Sequence, residues 1–462
     1  MSEVQKVWKP SGKFFINIIF FLLSVIIISV IFPHSEKERW FNYFGTLIIV
    51  SFCYLVLYLF LSHFYPEVLE VTRKTLFIIL IILSFIILTR LVINIHDQKL
   101  FYLIPFAIIP IVIRTFYDAR LALFVLLITI MISGFMLSDP FEFIFMSFIS
   151  GMVAIFTLTN IYRRGKLFFS VLMVVLAYSA VSLGINLMQY GNLEKISWSN
   201  FILIAVNGVL VLISYPIIFV FEKRFLFLSD TTLLELADTN QPLLRKLAEE
   251  APGSFQHSLQ VANLAEEVAR VTGANLLLVR TGALYHDIGK IGNPNYYIEN
   301  QRDGINPHDN LNPEESAKAI INHVRHGVVL AKNFKMPIQI IDFIRTHHGT
   351  TIAYYFFKKY TQQHPWDTSR EKEFTYPGPK PFSKETAIVM MADAVEASSR
   401  SLGNYTEETI SDLVDKIIQT QEQDSQFSDV PLTFKEISDI KVVFKKRLSN
   451  IYHLRVSYPE RI

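Results

Sequence analysis

The sequence predicts an all-α protein, with a polytopic helical membrane bundle followed by an all-helical cytoplasmic domain. Long apolar stretches fill the first half, amphipathic segments with helix start signals fill the second, and strand signals there are sparse. We expect a transmembrane domain over residues 1–228, a helical connector over 229–250 and a cytoplasmic domain over 251–462.

Eight stretches of the first half approach the roughly 20 apolar residues that a helix needs to cross a bilayer. Eight in succession, joined by short polar loops, favour spans of a lipid bilayer over buried helices of a soluble protein. Pro105 and Pro110 are expected to bend the fourth span. The stretches lie at about 14–32, 43–62, 75–95, 101–117, 121–137, 141–161, 167–188 and 200–221.

The loops indicate the orientation, because loops rich in Lys and Arg stay in the cytoplasm. One side carries twelve such residues and the other side four. We therefore expect a multi-pass protein of the cell inner (cytoplasmic) membrane, with both termini and the second half in the cytoplasm. The twelve are Lys6, Lys9, Lys13, Arg73, Lys74, Arg114, Arg120, Arg163, Arg164, Lys166, Lys223 and Arg224, and the four are Lys37, Arg39, Lys99 and Lys195.

Charge and cysteine content restrict the partners and the metal chemistry. Residues 229–462 hold 26 Lys and Arg against 30 Asp and Glu. A nucleic-acid polymer is normally bound by a broad basic face, so no such partner is expected. The single cysteine, Cys53, lies in an apolar stretch, which excludes a disulfide framework and a thiolate metal site. Any metal must be held by His and carboxylate side chains.

The connector is amphipathic from Thr231 to Glu250 and is interrupted at Asn240-Gln241-Pro242. Coupling of the bundle to the domain, a homodimer contact and ordinary packing on the domain are alternatives that the pattern leaves open. Beyond it, Asn312-Pro313-Glu314-Glu315 is typical of a helix start, and Thr433 with Glu436 matches a capping box. Helices are predicted at about 255–270, 275–286, 313–334, 337–348, 384–402, 406–421 and 433–451.

Histidines are concentrated in one part of the chain, since eight of the twelve lie between residues 257 and 364. Such a concentration favours a metal site over scattered core or surface histidines. Imidazole suits iron, manganese and zinc, and a carboxylate can bridge two ions. The adjacent pair His286-Asp287 can put one ligand on a single metal and its neighbour between two. The candidate ligands are His257, His286, Asp287, His323, His347, His348 and Asp393.

Several motifs accompany these ligands. They are Glu250-Ala251-Pro252-Gly253 before His257-Ser258, His286-Asp287-Ile288-Gly289-Lys290, Asn306-Pro307-His308-Asp309, His347-His348-Gly349-Thr350-Thr351, Tyr376-Pro377-Gly378-Pro379-Lys380-Pro381 and Ala392-Asp393-Ala394-Val395-Glu396-Ala397. The His-Asp motif resembles the central signature of the HD-domain metal phosphohydrolases, which are all-helical. Together the motifs resemble the bacterial seven-transmembrane HD-domain phosphodiesterases of the PgpH type, which hydrolyse cyclic di-AMP. The resemblance is dense over 230–462 and is one of pattern only over 43–221.

The resemblance implies a site with two divalent metal ions, manganese or iron. One ion would be held by His257, His286, Asp287 and Asp393, and the other by Asp287, His323, His347 and His348, so that Asp287 bridges them. A hydroxide on this binuclear centre would attack the phosphorus and open the ring to linear pApA. Lys290 is expected to neutralise a phosphate and His308 to contact the substrate, although a solvated Lys290 is an open alternative.

The chain departs from that family in two places. Gln256-His257 stands where relatives usually have two histidines, and we take the second residue as the ligand. Relatives commonly carry a large extracytoplasmic domain after the first span, where this chain has only about residues 33–42. No large extracytoplasmic domain is therefore expected. The first span is expected to be retained, because no small-residue cleavage site follows Phe32.

Three other functions stay open at this stage. An HD hydrolase of cyclic di-GMP would typically have an acidic residue after the paired histidines, whereas His348 is followed by Gly349-Thr350-Thr351. Hydrolases of guanosine alarmones or dNTPs share the His-Asp core but are soluble and generally use fewer ligands. A membrane receptor whose HD domain binds nucleotide without hydrolysis would be expected to lose ligands, and here all seven positions are filled.

Overall fold

The computed structural model describes residues 12–32, 39–95, 98–137, 139–158, 164–192, 197–301, 306–365, 367 and 369–452. Over these residues the protein is all-α, as predicted, and its only β-type pairing is an isolated bridge between Ile352 and Thr375. The chain divides into two compact units, Met1–Ser229 and Asp230–Ile462.

The first unit contains ten helices over its described residues. They are α1 (Gly12–Ile31), α2 (Arg39–Phe64), α3 (Pro66–Glu70), α4 (Thr72–Ile93), α5 (Ile108–Phe116), α6 (Ala119–Gly134), α7 (Pro140–Thr157), α8 (Arg164–Tyr190), α9 (Trp198–Val211) and α10 (Ser214–Phe225). Six helical segments are long and apolar enough to cross a membrane, and two shorter apolar helices, Phe15–Ile31 and Ala119–Gly134, lie where spans are also predicted. This unit is therefore a membrane domain.

The fourth predicted span is interrupted rather than simply bent. A 3-10 helix, Gln98–Leu103, precedes α5, and Pro105 lies in the break between them. The buried amide of Asn207 donates to the carbonyls of Tyr102 and Ile104 at 2.8 and 2.9 Å. Backbone carbonyls without a partner are costly in a bilayer, so this side chain makes the interruption tolerable.

Several of the charged residues from which the orientation is predicted are not described by the structure. Lys6, Lys9, Lys37, Arg163 and Lys195 lie outside the described ranges, as does most of the short segment 33–42.

The second unit also contains ten helices over its described residues. They are α11 (Asp230–Leu236), α12 (Pro242–Glu250), α13 (Pro252–Thr272), α14 (Leu276–Tyr285), α15 (Pro313–Asn333), α16 (Ile338–Thr346), α17 (Tyr354–Gln363), α18 (Lys384–Ser399), α19 (Glu407–Gln423) and α20 (Phe434–Ile451). The predicted helix start at Asn312 and the predicted capping box at Thr433 are confirmed, and Asn312 also forms a capping box with Glu315. Helix α17 was not predicted, although its residues carry a polar and an apolar face.

Two glycines let the helices of the second unit approach closely. A Cβ on Gly289 would lie 1.9 Å from the backbone oxygen of His323, and a Cβ on Gly282 would lie 2.4 Å from the ring of Phe343. Neither position can hold a larger side chain without movement of the neighbouring helix. These contacts bring the His286-Asp287 segment against α15 and α16, which carry the next histidines along the chain.

Candidate metal centre

The structure brings all seven candidate ligands together from five segments of the second unit. Six of them are buried, and the seventh, His348, keeps 27% of its side chain exposed. His257 lies on α13, His286 and Asp287 directly follow α14, His323 lies on α15, His347 and His348 follow α16, and Asp393 lies on α18.

The Asp287 carboxylate is divided between two pairs of histidines. Its Oδ2 lies 3.7 Å from His257 Nε2 and 3.4 Å from His286 Nε2. Its Oδ1 lies 3.4 Å from His323 Nε2 and 3.6 Å from His347 Nε2. One carboxylate therefore offers one oxygen to each of two neighbouring positions for a cation.

The second carboxylate also faces both histidine groups. Asp393 Oδ1 lies 2.8 Å from His257 Nε2 and 3.6 Å from His286 Nε2, and its Oδ2 lies 3.9 Å from His348 Nδ1. Three groups of residues each offer ligand atoms that lie within 4.8 Å of the other atoms in the same group. They are His257, His286 and Asp393; His286, Asp287 and His347; and His323, His347 and His348.

Hydrogen bonds orient four of the five imidazoles. Because a carbonyl oxygen only accepts, the histidine Nδ1 that faces one must carry the proton, which leaves Nε2 free to bind a metal. His257 makes the equivalent contact from Nδ1 to the Glu396 carboxylate. The carbonyl contacts are His286 to Ala283 at 2.6 Å, His323 to Ile320 at 2.7 Å and His347 to Ile344 at 2.9 Å.

Three buried atoms at the centre have no hydrogen-bond partner. They are His286 Nε2 and both carboxylate oxygens of Asp287, although the Lys290 ammonium forms an ion pair with Oδ2 at 2.7 Å. Burying polar groups without partners destabilises a protein, most of all when the group is charged. Nitrogen and carboxylate ligands around such atoms fit divalent cations such as iron, manganese and zinc. The residues present therefore fit a metal centre.

The electrostatics keep the carboxylates charged. Burial by itself would raise the pKa of Asp287, but Lys290 and His286 hold that pKa well below its usual range. Burial likewise opposes the charge on Asp393, and its contacts with His257 and His286 lower its pKa well below the usual range. Two negative charges are thus retained in the centre of the unit.

The histidines divide into two electrostatic groups. Burial lowers the pKa of His323 to about 3, and burial together with His347 lowers that of His348 well below its usual range. Burial also opposes the charge on His286, but Asp287 and Asp393 outweigh it and raise the pKa of His286 to about 10. His323 and His348 are therefore neutral, as metal ligands must be, whereas a cation at His286 has to displace a proton.

Lys290 is held on the wall of the site by two acids. Its ammonium lies 2.7 Å from Asp287 Oδ2 and 2.8 Å from Glu299 Oε1. Burial would lower its pKa, but these two carboxylates raise that pKa well above the usual value. Lys290 is therefore a permanent positive charge beside the metal positions.

His308 is placed differently from the other predicted residues. It lies in the 3-10 helix Pro307–Asn310, where its Nε2 donates to the Tyr296 carbonyl at 2.9 Å. Its ring lies 4.9 Å from that of Phe356. His308 is not among the residues that line the cavity next to the metal positions.

A cavity of about 500 Å³ opens beside the centre. His257, His347, His348 and Asp393 form part of its wall, so the ligands face open space on this side. This volume is within the range of cavities that bind small molecules. The arrangement can hold cations against a bound phosphate ester.

Sequence reasoning missed three residues that support the ligands. Glu396 accepts from His257 Nδ1, Glu299 pairs with Lys290, and the Tyr376 ring lies 4.2 Å from that of His348. Glu396 could have been found, because a carboxylate three residues after Asp393 shares its helix face. Glu299 lies nine residues after Lys290, but the segment that joins the two is broken into short 3-10 helices, and Tyr376 lies in a different segment from His348, so regular spacing does not reveal either contact.

Two family models match the chain. A model described as 7TM receptor with intracellular HD hydrolase matches residues 40–229, and a model described as HD domain matches residues 254–398. All seven candidate ligands lie within the second match. The HD domain implies hydrolysis that depends on divalent metal, in agreement with the ligand clusters.

Curated relatives match across both units. The chain is 38% identical over 370 residues to "Cyclic-di-AMP phosphodiesterase PgpH" of Bacillus subtilis, covering 78% of this chain and 51% of that protein. It is 40% identical over 318 residues to the protein of the same name from Listeria monocytogenes, covering 68% of this chain and 44% of that protein. The chain thus spans about half the length of the curated relatives it matches.

A solved structure also matches the second unit. It is the crystal structure of the HD domain of L. monocytogenes phosphodiesterase PgpH in complex with cyclic di-AMP, which is 44% identical, with a TM-score of 0.45. The match covers 47% of this chain and 100% of that chain. By the two family models and the curated relatives, the chain is similar to membrane-bound proteins in which a 7TM receptor module is joined to an HD hydrolase domain.

Proposed function

We propose that this protein is a membrane-anchored, metal-dependent phosphodiesterase that hydrolyses cyclic di-AMP to pApA. The observation that carries the proposal is the Asp287 carboxylate, which offers one oxygen to each of two histidine pairs at 3.4–3.7 Å. Two relatives, 38% and 40% identical, are named as cyclic-di-AMP phosphodiesterases, and this supports the choice of substrate.

Two divalent cations, manganese or iron, would supply an activated water and neutralise charge on the phosphorus oxygens. Asp287 would contribute one carboxylate oxygen to each of the two metal positions, because each oxygen faces a different pair of histidines. Glu396 keeps the His257 ring in the orientation that presents Nε2. Lys290 keeps a positive charge on the cavity wall, where it stabilises the negative charge of a bound phosphate.

The side of the membrane on which the HD domain lies is part of the same proposal. The HD domain and both termini lie in the cytoplasm, which places the site in the compartment that holds nucleotide second messengers. The distribution of Lys and Arg in the loops and the description of the first family model support this orientation. Two of the sequence expectations, a homodimer contact through the connector and a substrate contact by His308, stay predictions.

The test uses the purified full chain with manganese or iron. Cyclic di-AMP, cyclic di-GMP and a guanosine alarmone are supplied separately, and the products are separated by chromatography. We expect pApA from cyclic di-AMP and little product from the others. The variant Asp287→Ala should abolish turnover, and the matched variant Asp412→Ala, an exposed acid on α19, should not change it.

Each alternative has its own outcome in this assay. Turnover that survives Asp287→Ala would remove the proposed centre. Binding of cyclic di-AMP without product would favour the receptor function, and faster turnover of another nucleotide would replace the proposed substrate.

A further inference from the structure

The wall of the cavity beside the metal centre carries one positively charged side chain, that of Arg400, to which the proposed chemistry gives no role. Among the described residues of its wall, Lys290 and Arg400 are the Lys and Arg side chains. Lys290 forms ion pairs with Asp287 and Glu299, at 2.7 and 2.8 Å, and the proposed chemistry already places it at the reacting phosphate. Arg400 is paired with the single carboxylate of Glu396.

One edge of the Arg400 guanidinium is fixed by that pair. Nε and Nη2 both donate to Glu396 Oε1, at 2.8 and 2.5 Å, while Nη1 takes no part in the pair. Of the Arg400 side chain, 38% is exposed. A guanidinium held along one edge loses little further conformational freedom when its free donors bind a ligand. Arg400 is therefore preorganised for a second contact.

The position of Arg400 relates it to the metal centre. It directly follows α18, which carries Asp393 two turns earlier and Glu396 one turn earlier. Helical side chains lean toward the N-terminus, and the pairing with Glu396 draws the guanidinium in that direction. It therefore lies about one helical turn, roughly 5 Å along the axis, from the level of Asp393.

We propose that Arg400 binds the second, unreacting phosphate of a cyclic dinucleotide while the first phosphate lies at the metal centre. This inference rests on the proposed function and deepens it. Such a substrate carries two phosphodiesters, each with one negative charge, and the metal positions account for only one. A planar guanidinium matches the geometry of phosphate oxygens. Arg400 would thus favour ligands with two phosphates over simple phosphate diesters.

The experiment compares the full chain with Arg400→Met and Arg400→Lys. KM and kcat are measured with cyclic di-AMP, and bound metal per chain is measured by elemental analysis. Loss of a hydrogen-bonded charge should raise KM by about 10- to 100-fold in Arg400→Met, with kcat and metal content unchanged. Arg400→Lys should lie between this variant and the unmodified chain. The control is Arg270→Met, since Arg270 is an exposed arginine paired with Glu266 on α13.

A second substrate separates contact with the ligand from support of the metal site. Bis(p-nitrophenyl) phosphate has one phosphodiester, so its turnover should not change in Arg400→Met. An unchanged KM for cyclic di-AMP would overturn the inference. Equal losses on both substrates together with lost metal would also overturn it, because Arg400 would then act only through Glu396 and His257. If the unmodified chain hydrolyses no cyclic dinucleotide, the proposed function itself fails.

Discussion

The two units of this protein bury polar groups in different ways. In the described part of the membrane unit, the buried side-chain atoms without a hydrogen-bond partner are neutral hydroxyl and amide oxygens, such as those of Ser133 and Asn200. In the HD unit they include both oxygens of Asp287, which is ionised. Burying a carboxylate costs far more than burying a hydroxyl, and the ion pair with Lys290 offsets only part of that cost because it serves one of the two oxygens. The comparison shows which unit is built to receive a cation.

The polar residues of the membrane unit mostly serve its own backbone. Thr89 and Thr129 donate to carbonyls one turn earlier in the same helix, at 2.8 and 2.7 Å, and Asn207 repairs the interruption at Pro105. Such bonds complete the structure without a ligand. In the HD unit the histidine Nδ1 atoms make similar backbone bonds, but these leave Nε2 open toward the centre.

The largest effect is expected from Asp287→Asn, which removes the charge and keeps the size of the side chain. Both proposed metal positions would lose a ligand, so bound metal should fall and kcat should drop by at least about a thousandfold, as when a main electrostatic contribution is removed. The metal-free variant should melt at a lower temperature than the metal-free parent, because Lys290 and the protonated His286 lose the carboxylate that stabilises their positive charges. If Asp287→Asn kept its metal and its activity, Asp287 would not be a metal ligand, and the contrast between the two units would not hold.

The next effect concerns the close approach of Gly289 to α15. Gly289→Ala puts a Cβ about where the His323 backbone oxygen lies, so α15 has to move. We expect the HD unit to lose about 3 kcal/mol of stability and most of its activity. Thermal unfolding and turnover measure the two effects. Gly403→Ala is the matched control, since a Cβ there meets nothing within 4 Å, and wild-type behaviour of both variants would contradict the packing argument.

A third test uses pH. In the metal-free protein the pKa of His286 is raised from 6.5 to about 10 by Asp287 and Asp393, against the effect of burial. A raised pKa contributes stability that is fully present below pH 6.5 and is lost as the pH rises through about 10. The melting temperature of chelator-treated protein should therefore fall over this window. Metal-loaded protein should lack this decline, because His286 then binds a cation instead of a proton.

The smallest effect is expected in the membrane unit. Asn207→Leu removes the side-chain donor from the carbonyls of Tyr102 and Ile104, of which Ile104 keeps the Phe106 amide at 2.9 Å, and should destabilise the protein by about 1–2 kcal/mol. Unfolding in detergent measures the change, and metal content should stay constant. Thr129→Val, which removes only a hydroxyl bonded within its own helix, should change the stability by less than about 1 kcal/mol. A loss of metal in either variant would contradict the assignment of these residues to structure alone.

Much of the fold could be predicted because short sequence patterns indicate where helices lie and where they begin. Apolar stretches of sufficient length, the capping box at Thr433 and the proline at the start of α15 each act over a few residues. The interruption at Pro105 was expected only as a bend, because a proline indicates a disturbed helix without saying how far it is broken. Helix α17 was missed since no start signal precedes it: its N-cap residue, Ala353, makes no side-chain hydrogen bond.

The sequence by itself determined the inventory of the site: imidazoles and carboxylates, no thiolate, and helices to carry them. Only the tertiary structure decided that the two oxygens of Asp287 face different histidine pairs, that Glu396 orients His257, and that Arg400 reaches the cavity wall. The physical reason is distance along the chain. His257 and Asp393 lie 136 residues apart, and their 2.8 Å contact depends on how α13 packs against α18, which no local pattern records.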